Sequence, residues 1–170
     1  GRLCKQKNFK DLILAFKMTL ISFPNYKLHI VGDGYQKKFL KDLIIKNNLR
    51  GKAFIKGWKK NIHNEFKFAK IFVLPSIYEG LGNVLIDAIN YSIPCVATYC
   101  KSGPSEILDN GKGGYLVPIN NSEILSKKIN YVIENEKINK EKINFSKKRQ
   151  KRFYCETQCE KYLNYLNKVL

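Results

Sequence analysis

The chain has 170 residues, 44% hydrophobic and 26% charged, which is enough for one domain with a buried core and too apolar for a wholly disordered protein. Its apolar runs, such as Ile71-Phe72-Val73-Leu74 and Cys95-Val96-Ala97, hold only a few residues, too short to cross a membrane as a helix. The formal charge of +17 comes from 31 basic and 14 acidic residues, and Arg supplies only four of the 31. Lys, Asn and Ile are abundant together, as A/T-rich coding produces, so part of this charge reads as compositional drift. The remainder suits phosphates, anionic headgroups or nucleic acid without choosing among them.

In chain order, residues 8–21 predict a helix, with Phe9, Leu12, Ile13, Phe16 and Leu20 at three- and four-residue spacing. Pro24-Asn25 breaks it. Tyr26-Lys27-Leu28-His29-Ile30-Val31 alternates and runs into Gly32-Asp33-Gly34, a strand and turn. Phe39, Leu40, Leu43, Ile44 and Leu49 mark a second helix. A short strand over 53–57, a short helix over 62–69 and a buried strand over 71–75 follow. A helix over 83–91, a strand over 94–98, a helical turn over 104–108 and a strand over 115–117 continue the alternation. Ser122 is the expected cap of a helix carrying Ile124, Leu125, Ile129, Val132 and Ile133. Residues 134–152 are Lys- and Asn-rich and read as a solvated helix or linker. The last stretch, 153–170, predicts an amphipathic helix through Tyr162, Leu163, Tyr165, Leu166 and Val169. Strand–helix alternation implies an α/β, doubly wound, mostly parallel sheet, with ligands bound beyond the carboxyl ends of its strands.

Five cysteines, an odd and scattered set with no apolar secretory leader before them, suggest reduced thiols in a cytoplasmic protein. Cys155 and Cys159 lie one helical turn apart, but His29 and His63 are distant in sequence, and no zinc-ligand spacing appears.

The chemistry concentrates in Ser76-Ile77-Tyr78-Glu79-Gly80-Leu81-Gly82-Asn83-Val84-Leu85-Ile86-Asp87. It follows a buried strand and leads into a helix. Gly80 and Gly82 permit unusual backbone angles and close approach to a ligand. The amides of Leu81, Gly82 and Asn83 at a helix start favour an anion. Glu79 sits on the loop, and Asp87 lies one turn into the helix on the face of Asn83. An anion site framed by two carboxylates suits a sugar nucleotide. A glycine-containing strand-to-helix turn with one capping acid is the plainer reading of the loop alone.

With these residues the sequence resembles the carboxyl-terminal domain of the family 4, or group 1, retaining glycosyltransferases, built from two facing Rossmann-like domains (the GT-B fold). The pair Glu79–Asp87 matches that family's two acids separated by seven residues. Gly1-Arg2-Leu3 with Gln6-Lys7-Asn8-Phe9, Gly32-Asp33-Gly34, Gly103-Pro104-Ser105-Glu106 and the stretch from Gly111 to Pro118 occur in the family's order. The resemblance implies that Arg2 and Lys7 hold the donor diphosphate and that Glu79 contacts the donor sugar. It implies that Gly80, Leu81, Gly82 and Asn83 contact sugar and phosphate through their amides, and that Asp87 binds ribose hydroxyls. Trp58 and Lys59 match the region near the base, where the indole either stacks or simply packs. No resident cofactor and no metal are expected, the nucleotide-diphosphate sugar being the substrate.

The sequence departs from the family pattern at Asp87, where Glu is usual, at Tyr91-Ser92, where small residues and Gly are usual, and at Tyr99, where Asp is common. The family also places an acceptor domain first. The expectation is therefore a nucleotide-sugar-binding domain over 1–150 and a closing helix over 151–170, with the acceptor domain and even the first strand of this domain absent. The implied reaction moves a sugar, with retention, to a hydroxyl of a surface glycan or lipid-linked saccharide. The implied site of work is the cytoplasm, with peripheral contact at an anionic inner leaflet. A catalytically inactive remnant of such an enzyme is the first alternative. A basic nucleic-acid-binding module is the second, supported only by charge, since Arg is scarce and neither RNA-binding aromatic motifs nor a helix-turn-helix signal appears. A dehydrogenase is discounted, because Lys37 stands where the dinucleotide fingerprint needs its third glycine.

Overall fold

The computed structural model describes residues 1–100 and 102–169, and strand and helix alternate along them as the sequence predicts. A 3₁₀ turn at Lys5–Lys7 leads into α1 (Phe9–Ser22), β1 (Leu28–Val31), α2 (Lys37–Lys46), β2 (Ala53–Gly57) and α3 (His63–Lys67). Then come β3 (Phe72–Leu74), α4 (Asn83–Asn90), β4 (Cys95–Thr98), α5 (Pro104–Ile107) and β5 (Tyr115–Val117). The chain continues through α6 (Ser122–Glu134), α7 (Glu136–Arg149), a 3₁₀ turn at Gln150–Phe153 and α8 (Cys155–Val169). Every strand pair among the described residues is parallel, as helical crossovers require: Leu28 opposes Ala53, Phe72 opposes Cys95 and Val96 opposes Tyr115. The strands form two sets, β1–β2 and β3–β4–β5, where the sequence suggested one sheet.

Side chains of β3, β4 and β5 alternate between two cores. Val96, Tyr115 and Val117 join α1 and α6 on one face, whereas Leu74, Cys95 and Ala97 join α3, α4 and α5 on the other. Burial on both faces explains why β4 reads as a continuous apolar run. Leu3, Ile13, Leu40, Leu85 and Val96 are fully enclosed, and truncating such a Leu to Ala costs about 2–5 kcal/mol.

Two local readings change, and the last one holds. The cap of α6 is Asn121, not Ser122: its side-chain oxygen accepts from the Ile124 amide at 2.9 Å. Of the two readings of residues 134–152, the helix holds and the linker does not: α7 is exposed along much of its length but is docked on one side by buried polar groups. Asn139 accepts from the Tyr115 hydroxyl and donates to the Val132 carbonyl, both at 2.7 Å. Ser146 donates to Gly113 at 2.9 Å, and Gln150 to Ile86 at 3.0 Å. Ile143 is the one buried aliphatic side chain of α7, so the apolar period that would announce a docked helix is missing. The predicted last helix forms as α8 but buries none of its residues; Leu170, which closed that expectation, lies outside the described residues.

Candidate functional site

Residues 1–8 run across the carboxyl ends of the strands and tie two loops together. The Gly1 ammonium donates to the Val31 carbonyl at 2.7 Å, where β1 ends. The Leu3 amide donates to Asp33 at 2.8 Å, and the Gln36 amide donates to Leu3 at 3.0 Å. A Cβ on Gly34 would come within 2.5 Å of the Leu3 carbonyl oxygen, and one on Gly32 would overlap the Gly1 carbonyl. The glycines of Gly32-Asp33-Gly34 thus admit the chain's own backbone. Farther along, the Ile77 amide donates to Gln6 at 2.8 Å and the Gln6 side chain to Tyr78 at 2.9 Å. The segment therefore ends beside the loop that follows β3.

Glu79 is held at that junction. Its Oε1 accepts from Lys7 Nζ at 2.6 Å and from Ser76 Oγ at 2.5 Å, and its side chain is only 7% exposed. Thr98 and Cys100 both donate to the Ser76 carbonyl, the thiol at 3.2 Å. Ser102 Oγ donates to the Glu79 carbonyl at 2.9 Å. Gly103, at φ 77°, packs so closely that a Cβ there would lie 2.3 Å from the Gly80 oxygen and 2.6 Å from the Leu81 oxygen. Sequence reasoning quoted Gly103 within a motif but missed this contact. Ser76 opens the motif without an assigned role, and Ser102 carries no signal of its own, since a lone Ser has no positional pattern.

Gly82 has φ 83° and caps α4, a left-handed conformation that Gly tolerates at no steric cost. Gly80 differs: its φ is not left-handed and the space around it is open, so unusual backbone angles are required at Gly82 only. Among the described residues, no acceptor meets the amides of Leu81, Gly82 or Asn83. They stand at the positive end of α4, an arrangement that attracts an anion. Arg2 is exposed on the same rim and makes no ion pair among the described residues.

Asp87 faces a different hollow. It borders an open cleft of about 600 Å³ with Lys60, Asn61, His63 and Tyr91. Partial burial raises its pKa above the usual carboxylate range. His63 Nδ1 lies 2.5 Å from the Tyr91 hydroxyl, and the Tyr91 ring stacks on Phe66 with centroids 5.1 Å apart. Trp58 and Lys59 stand outside this cleft. The indole is 72% exposed, and the Lys59 ammonium pairs with Glu65 at 2.8 Å. Glu65 also meets His29 Nδ1 at 2.9 Å, and these two hydrogen bonds lower its pKa. The structure thus gathers Lys7, Glu79 and the α4 amides at one rim. It leaves Asp87 in the neighbouring cleft and Trp58 and Lys59 on the adjoining loop.

Among the described residues, no three His, Cys, Asp or Glu side chains cluster as metal ligands, and no helix is long and apolar enough to cross a membrane.

A family model described as glycosyl transferases group 1 matches residues 1–152. The chain is 37% identical over 140 residues to the amylovoran biosynthesis glycosyltransferase AmsD of Erwinia amylovora, covering 82% of this chain and 39% of that protein. It is 33% identical over 153 residues to the N-acetylgalactosamine-N,N'-diacetylbacillosaminyl-diphospho-undecaprenol 4-alpha-N-acetylgalactosaminyltransferase of Campylobacter jejuni, covering 90% of this chain and 41% of that protein. Among solved structures, a TarM mutant from S. aureus in complex with fondaparinux, alpha-GlcNAc-glycerol and UDP matches with a TM-score of 0.89 at 28% identity, over 96% of this chain and 34% of that one. This chain thus spans well under half the length of these relatives.

Proposed function

Because the chain belongs to the group 1 glycosyltransferases, we propose that it is the donor-binding part of an enzyme that moves a sugar from a nucleotide diphosphate to a hydroxyl acceptor, with retention. The observation that carries this reading is the rim where the Lys7–Glu79 pair meets the free amides that open α4. A diphosphate seated there meets Arg2, Lys7 and the amides of Gly82 and Asn83, which offset the negative charge that builds on the leaving group as the sugar–phosphate bond breaks. Glu79, fixed by Lys7 and Ser76, presents its remaining carboxylate oxygen to sugar hydroxyls. Asp87 takes the ribose hydroxyls, and the loop after β2, with Trp58 and Lys59, lies toward the base. Asp is one methylene shorter than the Glu that the resemblance leads one to expect, so this contact is long or water-bridged. The acceptor is a surface glycan or lipid-linked saccharide, received by a partner domain across the rim. The charge of +17 favours work beside an anionic leaflet.

Calorimetric titration with UDP-sugars, and with sugar nucleotides of other bases, tests the reading. Micromolar binding that is lost in both Arg2→Ala and Glu79→Ala is the expected result. A folded chain that binds no sugar nucleotide overturns it and marks an inactive remnant. Leaflet contact is tested separately by co-sedimentation with neutral and anionic vesicles: equal recovery in the two removes it.

A further inference from the structure

Of the paired carboxylates among the described residues, the least exposed are Glu79, at 7%, and Glu65, at 18%. Glu79 belongs to the phosphate rim. Glu65 lies at the other end, behind the loop that follows β2, and the donor reading gives it no role. Its two oxygens are divided between two elements. Oε1 accepts from Lys59 Nζ at 2.8 Å, and Oε2 lies 2.9 Å from His29 Nδ1. A carboxylate only accepts, so His29 donates from Nδ1. Glu65 is on α3, Lys59 on the loop after β2 and His29 on β1. One carboxylate thus joins a helix, a loop and a strand.

These three partners differ in freedom. His29 stands opposite Phe54 in the β1–β2 register, and the two rings meet edge to face with centroids 5.7 Å apart. Glu65 is set by the first turn of α3: its amide donates to Ile62 at 3.0 Å, and the Asn61 side chain accepts from the His63 amide at 2.8 Å. Lys59 is the movable member. Trp58, Lys59, Lys60 and Asn61 are all exposed. Between Gly57, whose carbonyl accepts from the Gly32 amide at 2.8 Å, and Asn61, the Lys59 contact is the only tie from the loop to the body among the described residues. The loop then turns inward, and Lys60, Asn61 and Ile62 line the cleft that Asp87 borders. Ion pairs on an open surface contribute little, because two long side chains must be ordered to form them. Here the carboxylate is sheltered and already ordered by His29, so only the lysine has to be held. The Lys59 hydrogen bond is the largest cause that lowers the Glu65 pKa, with the His29 bond next, so the carboxylate stays charged for this contact.

We propose that Glu65 is a positioning residue for the donor nucleoside: braced by His29, it holds Lys59 and so sets the loop over 58–62 as a wall of the Asp87 cleft before any ligand arrives. The inference rests on the donor-site reading, in which ribose and base enter that cleft. Glu65 touches no ligand and acts through Lys59. Lys59 in turn serves as the anchor of the wall, its ammonium being committed to Glu65.

Trp58, the single tryptophan of the chain, adjoins Lys59 and reports on this loop directly. Time-resolved fluorescence anisotropy of the unligated protein is compared for wild type, Glu65→Ala, Lys59→Met and the double variant, with thermal unfolding alongside. Either single substitution is expected to about double the amplitude of nanosecond depolarisation, the timescale of loop motion, with Tm within about 3 °C of wild type. The double variant is expected to be no looser than either single one, since both remove the same contact. In calorimetric titrations, Glu65→Ala is expected to lower affinity for a UDP-sugar about fivefold and to leave that for inorganic pyrophosphate within about twofold. Unchanged Trp58 depolarisation in either single variant overturns the proposal. Additive loosening in the double variant does so as well, because the two residues then act separately. An equal loss of affinity for both ligands also overturns it, as general damage to the site. A wild-type chain that binds no sugar nucleotide instead refutes the donor-site reading, and the fluorescence comparison still decides whether Glu65 holds the loop.

Discussion

The two acids of the candidate site sit in regions built on opposite plans. Around Glu79 the backbone is interlocked: Gln6 ties to Ile77 and Tyr78, Ser102 ties to the Glu79 carbonyl, and Gly103 presses on Gly80 and Leu81. The carboxylate itself is buried against Lys7 and Ser76. Around Asp87 the cleft is open, the neighbouring Trp58 is largely in solvent, and no side chain anchors the carboxylate among the described residues. On the proposed reading, one end of the donor site is thus preformed by the fold, and the other is left open to the ligand. Preorganisation at the first end suits a group whose charge changes during reaction, since fixed dipoles there need not reorganise. On the same reading, the second end only has to hold a spectator.

The sharpest way to break this contrast is at Gly103. Gly103→Ala puts a methyl against two carbonyl oxygens at a backbone angle that Ala resists, a combination worth about 3 kcal/mol or more. In a chain of this size that is a fall in Tm of about 10 °C. Differential scanning fluorimetry reads it, and a fall of under about 2 °C would show that the interlock is loose. Next comes Lys7→Met, which strands a buried carboxylate. Full burial would make such a loss about 3–5 kcal/mol, and the partial exposure of Lys7 reduces it to about 2. In the Glu79→Gln background the same substitution is expected to cost under about 1 kcal/mol, since no charge is left behind. Urea titration of the four proteins gives the coupling. Equal costs in both backgrounds would mean that the pair holds nothing together.

The sequence disclosed the first region better than the second, and for a physical reason. Strand ends, the loop glycines and the spacing of Glu79 and Asp87 are local features, so their order along the chain already placed a rim at the end of a parallel sheet. The use made of two glycines was not local: Gly34 and Gly103 are required because distant backbone arrives beside them, at Leu3 and at Gly80-Leu81. The docking of α7 was hidden because Asn139, Ser146 and Gln150 replace an apolar stripe with buried hydrogen bonds. The division of the strands into two sets was equally invisible, since each strand's own pattern says nothing of which neighbour stands beside it.

At the open end the expected effects are smaller and opposite in sign for stability and binding. Burial raises the Asp87 pKa, so folding favours its protonated form. The associated stability is fully present below the unfolded value of about pH 4 and is lost as pH rises through the raised folded value. Asp87→Asn removes that loss. At pH 7 its Tm is expected to rise by no more than about 2 °C, while sugar-nucleotide affinity falls about tenfold with the loss of a charged acceptor. Melting curves from pH 3.5 to 7 check the sign: wild type must lose ground to the variant as pH increases, and the reverse order would refute a desolvated carboxylate.

Trp58→Ala has the smallest structural effect. An indole that is 72% exposed contributes within about 0.5 kcal/mol to the fold, so Tm stays within about 2 °C of wild type. Its effect on binding depends on whether a base completes this lip. Stacking on a nucleobase is worth about 1 kcal/mol or more, so affinity for a sugar nucleotide falls at least about fivefold, while affinity for inorganic pyrophosphate, which engages only the Glu79 end, is unchanged. Matched titrations with the two ligands therefore separate the ends of the site. A loss shared equally by both ligands would mean that Trp58 supports the phosphate rim, and that the two regions are not independent.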